Sequence, residues 1–226
     1  MASVLVAYWS GEGQTEKVAG VIEDVLTARG HDVAVHRVTD DDAFAVDAFD
    51  AVLVGSPVNN RKHRPEVVAF VEANADAIAE RPNGLFQLSL AAAVPFEWAQ
   101  GSDREFVDDL VTQTGWQPDR VGRFAGGIKY SEYGLIERLL FRLAAAVTTG
   151  DTDTSRDYEY TDWDEVESFA VGFAEDVEER LVTEEKTQER VTGRRLSRIA
   201  AGVAVLVGVA VLAYWAATRG VEMPEC

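Results

Sequence analysis

Residues 4–15 read VLVAYWSGEGQT, and this stretch decides the fold. The apolar run Val4–Tyr8 predicts a parallel strand buried on both faces. It runs straight into Ser10-Gly11-Glu12-Gly13-Gln14-Thr15, after which Val18, Val21, Ile22, Val25 and Leu26 recur at helical spacing. Gly30 then fits a helix stop. A strand, a glycine turn and a helix in that order mark the edge where open α/β sheets receive ligands, outside the carboxyl ends of their strands. An anion bound there needs inward-pointing backbone N–H groups, small hydroxyls and the positive end of a helix. Ser10, Gly11, Gly13 and Thr15 supply them, with Glu12 and Gln14 completing the loop. No lysine follows the second glycine, so the loop is not a Walker A motif, and the G-x-G-x-x-G spacing of a dinucleotide site is missing. A plain tight turn is the blander reading; phosphate binding is the one this composition favours.

Outward from that loop, strand and helix alternate. Further strands are expected over Asp32–Val38, Ala51–Gly55, Leu85–Leu90 and Val121–Ile128. Val67, Phe70, Val71 and Ile78 mark one helix, and Phe106, Val107, Leu110 and Val111 another. A last amphipathic helix carries Val166, Phe169, Ala170, Phe173, Val177 and Leu181, capped by Thr161 or Asp162. The fold class is therefore α/β: a doubly wound, five-stranded parallel sheet in the order 2-1-3-4-5. Residues 129–162 are too long for a simple connection. Within them Leu135, Ile136, Leu139, Leu140, Leu143 and Val147 form an apolar helical stripe, with Arg138 and Arg142 on another face. This inserted helix either lies on a membrane or packs on the sheet.

The chain of 226 residues carries 21 Lys plus Arg against 39 Asp plus Glu, a net charge of −18. Such a surface repels nucleic acid, whose recognition requires basic contacts. It also suits high salt, where screening removes self-repulsion. The one cysteine, Cys226, has no partner within the chain, and His31, His36 and His63 lack the spacing of a zinc site. The opening residues read as a first strand rather than a signal peptide. Residues 199–218, IAAGVAVLVGVAVLAYWAAT, are uncharged over the roughly 20 residues a bilayer requires. They predict one C-terminal transmembrane helix, with the lipid bilayer as a partner. Arg194, Arg195 and Arg198 before it, against Arg219 after it, place the N-terminal domain on the cytoplasmic side of a cell membrane. The expected organisation is a domain over 1–182, a polar linker over 183–198, the span over 199–218 and a tail over 219–226.

Residues Val6–Ala19, VAYWSGEGQTEKVA, resemble the phosphate loop of flavodoxins. The stretch from Gly126 to Ala170, with Thr152-Asp153-Thr154 and Tyr160-Thr161-Asp162-Trp163, is similar to the flavodoxin-like, menaquinone-dependent protoporphyrinogen IX dehydrogenases. So is Gln117-Pro118-Asp119-Arg120. The resemblance spans roughly residues 3–178. It implies a flavodoxin-like fold and an FMN enzyme that oxidises protoporphyrinogen IX and passes the electrons to a membrane quinone. FMN phosphate would sit on Ser10, Gly11, Glu12, Gly13, Gln14 and Thr15. Two loops would flank the flavin ring: Ser56, Pro57, Val58, Asn59 and Asn60, and Leu90, Ala91, Ala92 and Ala93, in a stretch reaching Pro95. The sequence SLAAAVPFEWAQG there is not the family's basic version, and a transmembrane tail is not a feature of its familiar members. No pairing of carboxylate or histidine identifies a catalytic acid or base.

Arg61-Lys62-His63-Arg64 is a basic run in an acidic chain, directly after the first flavin loop. Arg61, Lys62 and Arg64 are expected to hold an anionic substrate, since porphyrinogens carry carboxylates; a solvated loop paired with the chain's many acids explains the same residues. Two other functions fit the domain: a tethered flavodoxin that carries electrons between proteins, and an NAD(P)H:quinone reductase.

Overall fold

The computed structural model describes residues 1–39, 45–89, 92, 97–128, 158–159, 161–183 and 186–187. The chain forms two units, Met1–Glu179 and Arg180–Cys226. In the second, residues 180–183 and 186–187 are helical.

In the first unit β1 (Ser3–Tyr8) leads into α1 (Gln14–Ala28) and β2 (Asp32–Arg37). A short 3-10 turn (Val46–Ala48) precedes β3 (Ala51–Asn59), β4 (Lys62–His63) and α2 (Pro65–Ala79). Then come β5 (Asn83–Ser89), α3 (Glu97–Thr114), β6 (Arg120–Ala125), β7 (Gly127–Ile128) and β8 (Tyr158–Glu159). Residues 163–179 form a last helix, α4. The strand-to-helix rhythm follows the apolar periods of the sequence. Val4–Ala7 are fully buried, as a central parallel strand requires. Helix α1 ends where expected: Gly30 takes φ +87°, donating to Thr27 O, while His31 donates to Leu26 O.

The main sheet runs β2-β1-β3-β5-β6, with these pairs parallel. The fold class read from sequence is corrected in two respects. The sheet has six strands, because β3 continues past Gly55 to Asn59 and β4 folds back on it antiparallel, pairing Val58 with His63 and Asn59 with Lys62. The turn residues Asn60 and Arg61 take φ +50° and +63°, the twist of a two-residue hairpin. No Asn-Gly or Asp-Gly pair advertises that turn. Secondly, among the described residues no helix is long and apolar enough to cross a membrane. The span expected over 199–218 lies outside the described residues, as does the helix expected around Leu135–Val147. The strand expected over Val121–Ile128 also divides: β6 stops at Ala125, and Gly127–Ile128 pairs instead with Tyr158–Glu159 in a two-stranded antiparallel sheet.

One face of the sheet presents Leu5, Ala7, Val52, Val54 and Leu85 to Val67, Phe70 and Val71 of α2 and Val107 and Leu110 of α3. Each Val, Leu and Phe side chain among them contributes roughly 1.5–3 kcal/mol by leaving water. Elsewhere Phe124 of β6 meets Phe169 of α4 edge-on at 5.6 Å. Gly55 faces Phe86 across β3 and β5; a Cβ there would meet the ring at 2.1 Å.

At the amino edge of the sheet the Gln117–Arg120 motif proves to be a brace. Asn83 donates from its backbone and Nδ2 to Asp119 Oδ2, at 3.2 and 2.8 Å. Its Oδ1 accepts from Trp116 Nε1 at 2.9 Å and from Asp119 N at 3.2 Å. Arg120 forks onto Asp176 of α4 at 2.6 and 3.0 Å. Asp119→Ala removes the acceptor of two Asn83 donors, and Asn83 is 2% exposed. The expected loss is about 2 kcal/mol in a urea titration, where Asp119→Asn loses less.

His63 is buried beneath the hairpin, its ring nitrogens without a hydrogen-bond partner of good geometry among the described residues. Burial drops its pKa to about 4, against weaker opposing pulls from the Phe106 backbone and Asp109. The neutral ring thus belongs to the folded state. Between the ordinary pKa of 6.5 and the folded value near 4 the unfolded chain binds the extra proton, so stability falls as pH falls. We expect His63→Leu to flatten the acid limb of a stability–pH profile between pH 7 and 4.5; the lost slope integrates to about 3 kcal/mol at most.

Candidate functional site

The site is built at the carboxyl edge of β1, β3 and β5. Gly13 occupies the N-cap of α1 at φ +86°, and no side chain caps the helix. The first N–H groups of α1 therefore lack the usual side-chain acceptor and can serve an anion. Ser10, 2% exposed, accepts the Gly13 N–H on its Oγ at 3.0 Å, which folds the loop over itself. Thr15, equally buried, sits in the first turn of the helix. Glu12 and Gln14 are partly buried within the same loop.

Several residues shape this loop that the sequence does not announce. Arg37, at the end of β2, donates to the Ser10 carbonyl at 2.5 Å. Gln14 Nε2 donates to Thr161 Oγ1 at 2.9 Å, and that hydroxyl donates to the Ala125 carbonyl at 2.7 Å. The glycine loop is thereby tied to the end of β6 and the start of α4. Of the two capping residues expected for α4, Asp162 does the work: its Oδ1 accepts from Asp164 N and Glu165 N at 3.0 and 3.2 Å.

Trp9 supports the loop from within. Its backbone N–H donates to Gly55 O at 3.0 Å, extending the β1–β3 register by one bond. A Cβ on Gly11 would fall 2.8 Å from Trp9 Cη2, so the loop backbone lies against the indole. The Arg64 guanidinium stacks on the same ring system at 4.0 Å. The edge of that guanidinium meets Glu66 through Nε at 3.3 Å and Nη2 at 2.8 Å. Arg64 holds the Glu66 carboxyl below the ordinary carboxylate range, and the Trp9 indole adds to this.

The first expected flavin-flanking segment, Ser56–Asn60, is the end of β3 and the start of its hairpin rather than a free loop. Ser56 is fully buried; its hydroxyl donates to Pro57 O at 3.0 Å and accepts the Arg64 N–H at 3.3 Å. Pro57 and Val58 are partly buried, and Asn59 and Asn60 exposed. In the second segment Leu90, Ala91 and Ala93 lie outside the described residues. Ala92 is in a turn, its N–H donating to Ser89 Oγ at 3.1 Å. Ser89 in turn donates to the buried Asp103 carboxylate at 2.6 Å, which also accepts from Gln87 Nε2 at 2.8 Å. Arg123 lies 3.7 Å from the second Asp103 oxygen. Burial and the neighbouring Asp162 raise the pKa of Glu165 nearby, with Arg123 opposing.

The basic run divides. Arg61 and Lys62 stand exposed on the hairpin. Arg61 pairs with Glu105 at 2.9 Å and lies 5.6 Å from the Phe106 ring centre. Lys62 makes no ion pair among the described residues. His63 turns into the protein, and Arg64 is engaged by Trp9 and Glu66.

A phosphomonoester fits this arrangement. Gly13 takes the left-handed turn, Gly11 lets the loop backbone lie against the Trp9 indole, α1 offers an uncapped terminus, and the hydroxyl residues Ser10 and Thr15 are buried beside it. Comparison with known proteins agrees. The model of the flavodoxin domain family matches residues 5–155, more than half of the chain. A protoporphyrinogen IX dehydrogenase (quinone) of Escherichia coli (strain K12) is 27% identical over 169 residues, covering 74% of this chain and 91% of that protein. One from Leishmania major is 25% identical over 173 residues, covering 75% and 74%. The solved flavodoxin of Streptococcus pneumonia TIGR4 aligns with 79% of this chain and 99% of its own at 18% identity and a TM-score of 0.49. The resemblance read from the sequence therefore stands: this chain belongs to the flavodoxin domain family, a flavin-dependent oxidoreductase whose cofactor is FMN.

Proposed function

We propose that this chain oxidises protoporphyrinogen IX to protoporphyrin IX and delivers the electrons to a quinone. The observation that carries the reading is the match, over 91% and 74% of their own lengths, to two relatives that bear this name. The anion-ready loop at the head of α1 is what such an enzyme requires. When bound, FMN supplies a two-electron redox centre that accepts from one partner and gives to the other.

The protein's part is to bind, orient and exclude water. Ser10, Gly11, Gly13 and Thr15 receive the phosphate through N–H groups and hydroxyls. The end of β3, held by Ser56, forms one wall of the ring site, and the turn that Ser89 fixes through Ala92 forms another. Arg61 and Lys62 stand on the hairpin just beyond that first wall, where they meet the carboxylates of an anionic tetrapyrrole. Arg61 exchanges an exposed pairing with Glu105, which costs little to give up. No side chain of this chain is assigned as proton donor or acceptor.

The test is anaerobic mixing of the FMN-loaded full chain with protoporphyrinogen IX and, separately, with NADPH. Bleaching of the flavin by the porphyrinogen, reversed by a menaquinone analogue, is the expected result. Bleaching by NADPH alone makes the protein a quinone reductase instead, and bleaching by neither leaves an electron carrier. In steady state, replacing both Arg61 and Lys62 with Gln is expected to raise KM for the porphyrinogen about tenfold with kcat little changed, the signature of lost uniform binding.

A further inference from the structure

Arg64 belongs to the basic run, yet its guanidinium lies over Trp9, the residue that leads into the glycine loop. Four groups lie in sequence: the Gly11 backbone, the Trp9 indole, the Arg64 guanidinium and the Glu66 carboxylate. Only a planar cation serves both of its neighbours in that chain of contacts. Its face takes the indole while its edge takes both oxygens of a carboxylate, which an ammonium cannot do. The contacts reach both the glycine loop and the end of β3. Trp9 bears on the phosphate loop through Gly11 and on β3 through its bond to Gly55 O. Arg64 is the N-cap of α2 and donates its N–H to Ser56, at the base of the hairpin.

We infer that Trp9 and Arg64 are positioning residues for FMN, fixing the spacing between the phosphate cradle and the segment of β3 that flanks the flavin ring. Arg64 is then not a substrate contact, and the inference is independent of which reductant the flavin takes. A loop positioned this way discriminates by phosphate. FMN carries one and riboflavin does not, so loosening the stack weakens FMN while leaving riboflavin nearly where it was.

The experiment titrates apoprotein with FMN and with riboflavin, following the quenching of flavin fluorescence. Arg64→Lys keeps the charge but loses stack and fork; it is expected to weaken FMN about tenfold and riboflavin less than about twofold. Trp9→Phe retains an aromatic face and falls between wild type and Trp9→Leu. Gly11→Ala, which drives a methyl into the indole, weakens FMN in the wild-type background. In the Trp9→Leu background the same methyl finds room, so the two changes combine to less than the product of their separate effects. Equal loss of FMN and riboflavin would assign the stack a merely structural role and overturn the inference. So would unchanged FMN affinity accompanied by a raised KM for porphyrinogen at saturating FMN, which would return Arg64 to the substrate.

Discussion

A chain that leaves a buried parallel strand and enters a helix within a few residues has little freedom, and here that freedom is concentrated in Gly13. Its left-handed φ turns the backbone so that α1 starts with its N–H groups unopposed by a cap. A serine, threonine or aspartate capping the helix there would occupy those donors. Ser10 instead accepts the N–H of Gly13 itself, steadying the loop while leaving the helix terminus to a ligand. Strand order, the buried hydroxyls, and the tie from Gln14 to Thr161 all serve to keep that one terminus open and correctly aimed.

The ligand edge and the opposite edge of the sheet use polar groups in different ways. At the amino edge, Asn83, Trp116 and Asp119 satisfy one another, and the adjacent Arg120 forks onto Asp176, binding strand to helix. At the carboxyl edge the networks are open chains that end at segments beside the site: Asp103 through Ser89 to Ala92, and Glu66 through Arg64 to Trp9. In a chain with few cations, arginine recurs as a fastening. Arg29 reaches Glu178, Arg37 reaches the Ser10 carbonyl, and Arg81 donates to the carbonyls of Val46 and Phe49. Each ties segments distant in sequence through a donor that stays charged at any physiological pH.

How much of this the sequence disclosed depends on the range of the interaction. Val4–Tyr8, the glycines after it and the stop at Gly30 are local signals, and α1 with its open terminus was legible from them. The alternation of elements disclosed a parallel α/β sheet, but not the extra strand that makes its order β2-β1-β3-β5-β6 with β4 on β3. The β3–β4 hairpin was not legible, because Asn60 and Arg61 adopt positive φ without a glycine to signal it. Arg64 looked like one of three equivalent cations, since nothing in Arg-Lys-His-Arg reveals that the fourth stacks on a tryptophan 55 positions earlier in the numbering. Thr161 and Asp162 were indistinguishable as caps until the carbonyl of Ala125 claimed one of them. Asp103 carried no motif at all. The membrane span was read from an uncharged run and its arginine flanks; it lies outside the described residues, among which no helix is long and apolar enough to cross a membrane.

The hydrogen bond from Gln14 to Thr161 joins residues 147 positions apart. Proteins are made from the amino terminus, and domains settle as their parts become available. The glycine loop is synthesised before its Thr161 fastening, which appears only after every strand of the main sheet. A chain cut before Thr161 therefore carries the glycine loop without that fastening, however complete its sheet.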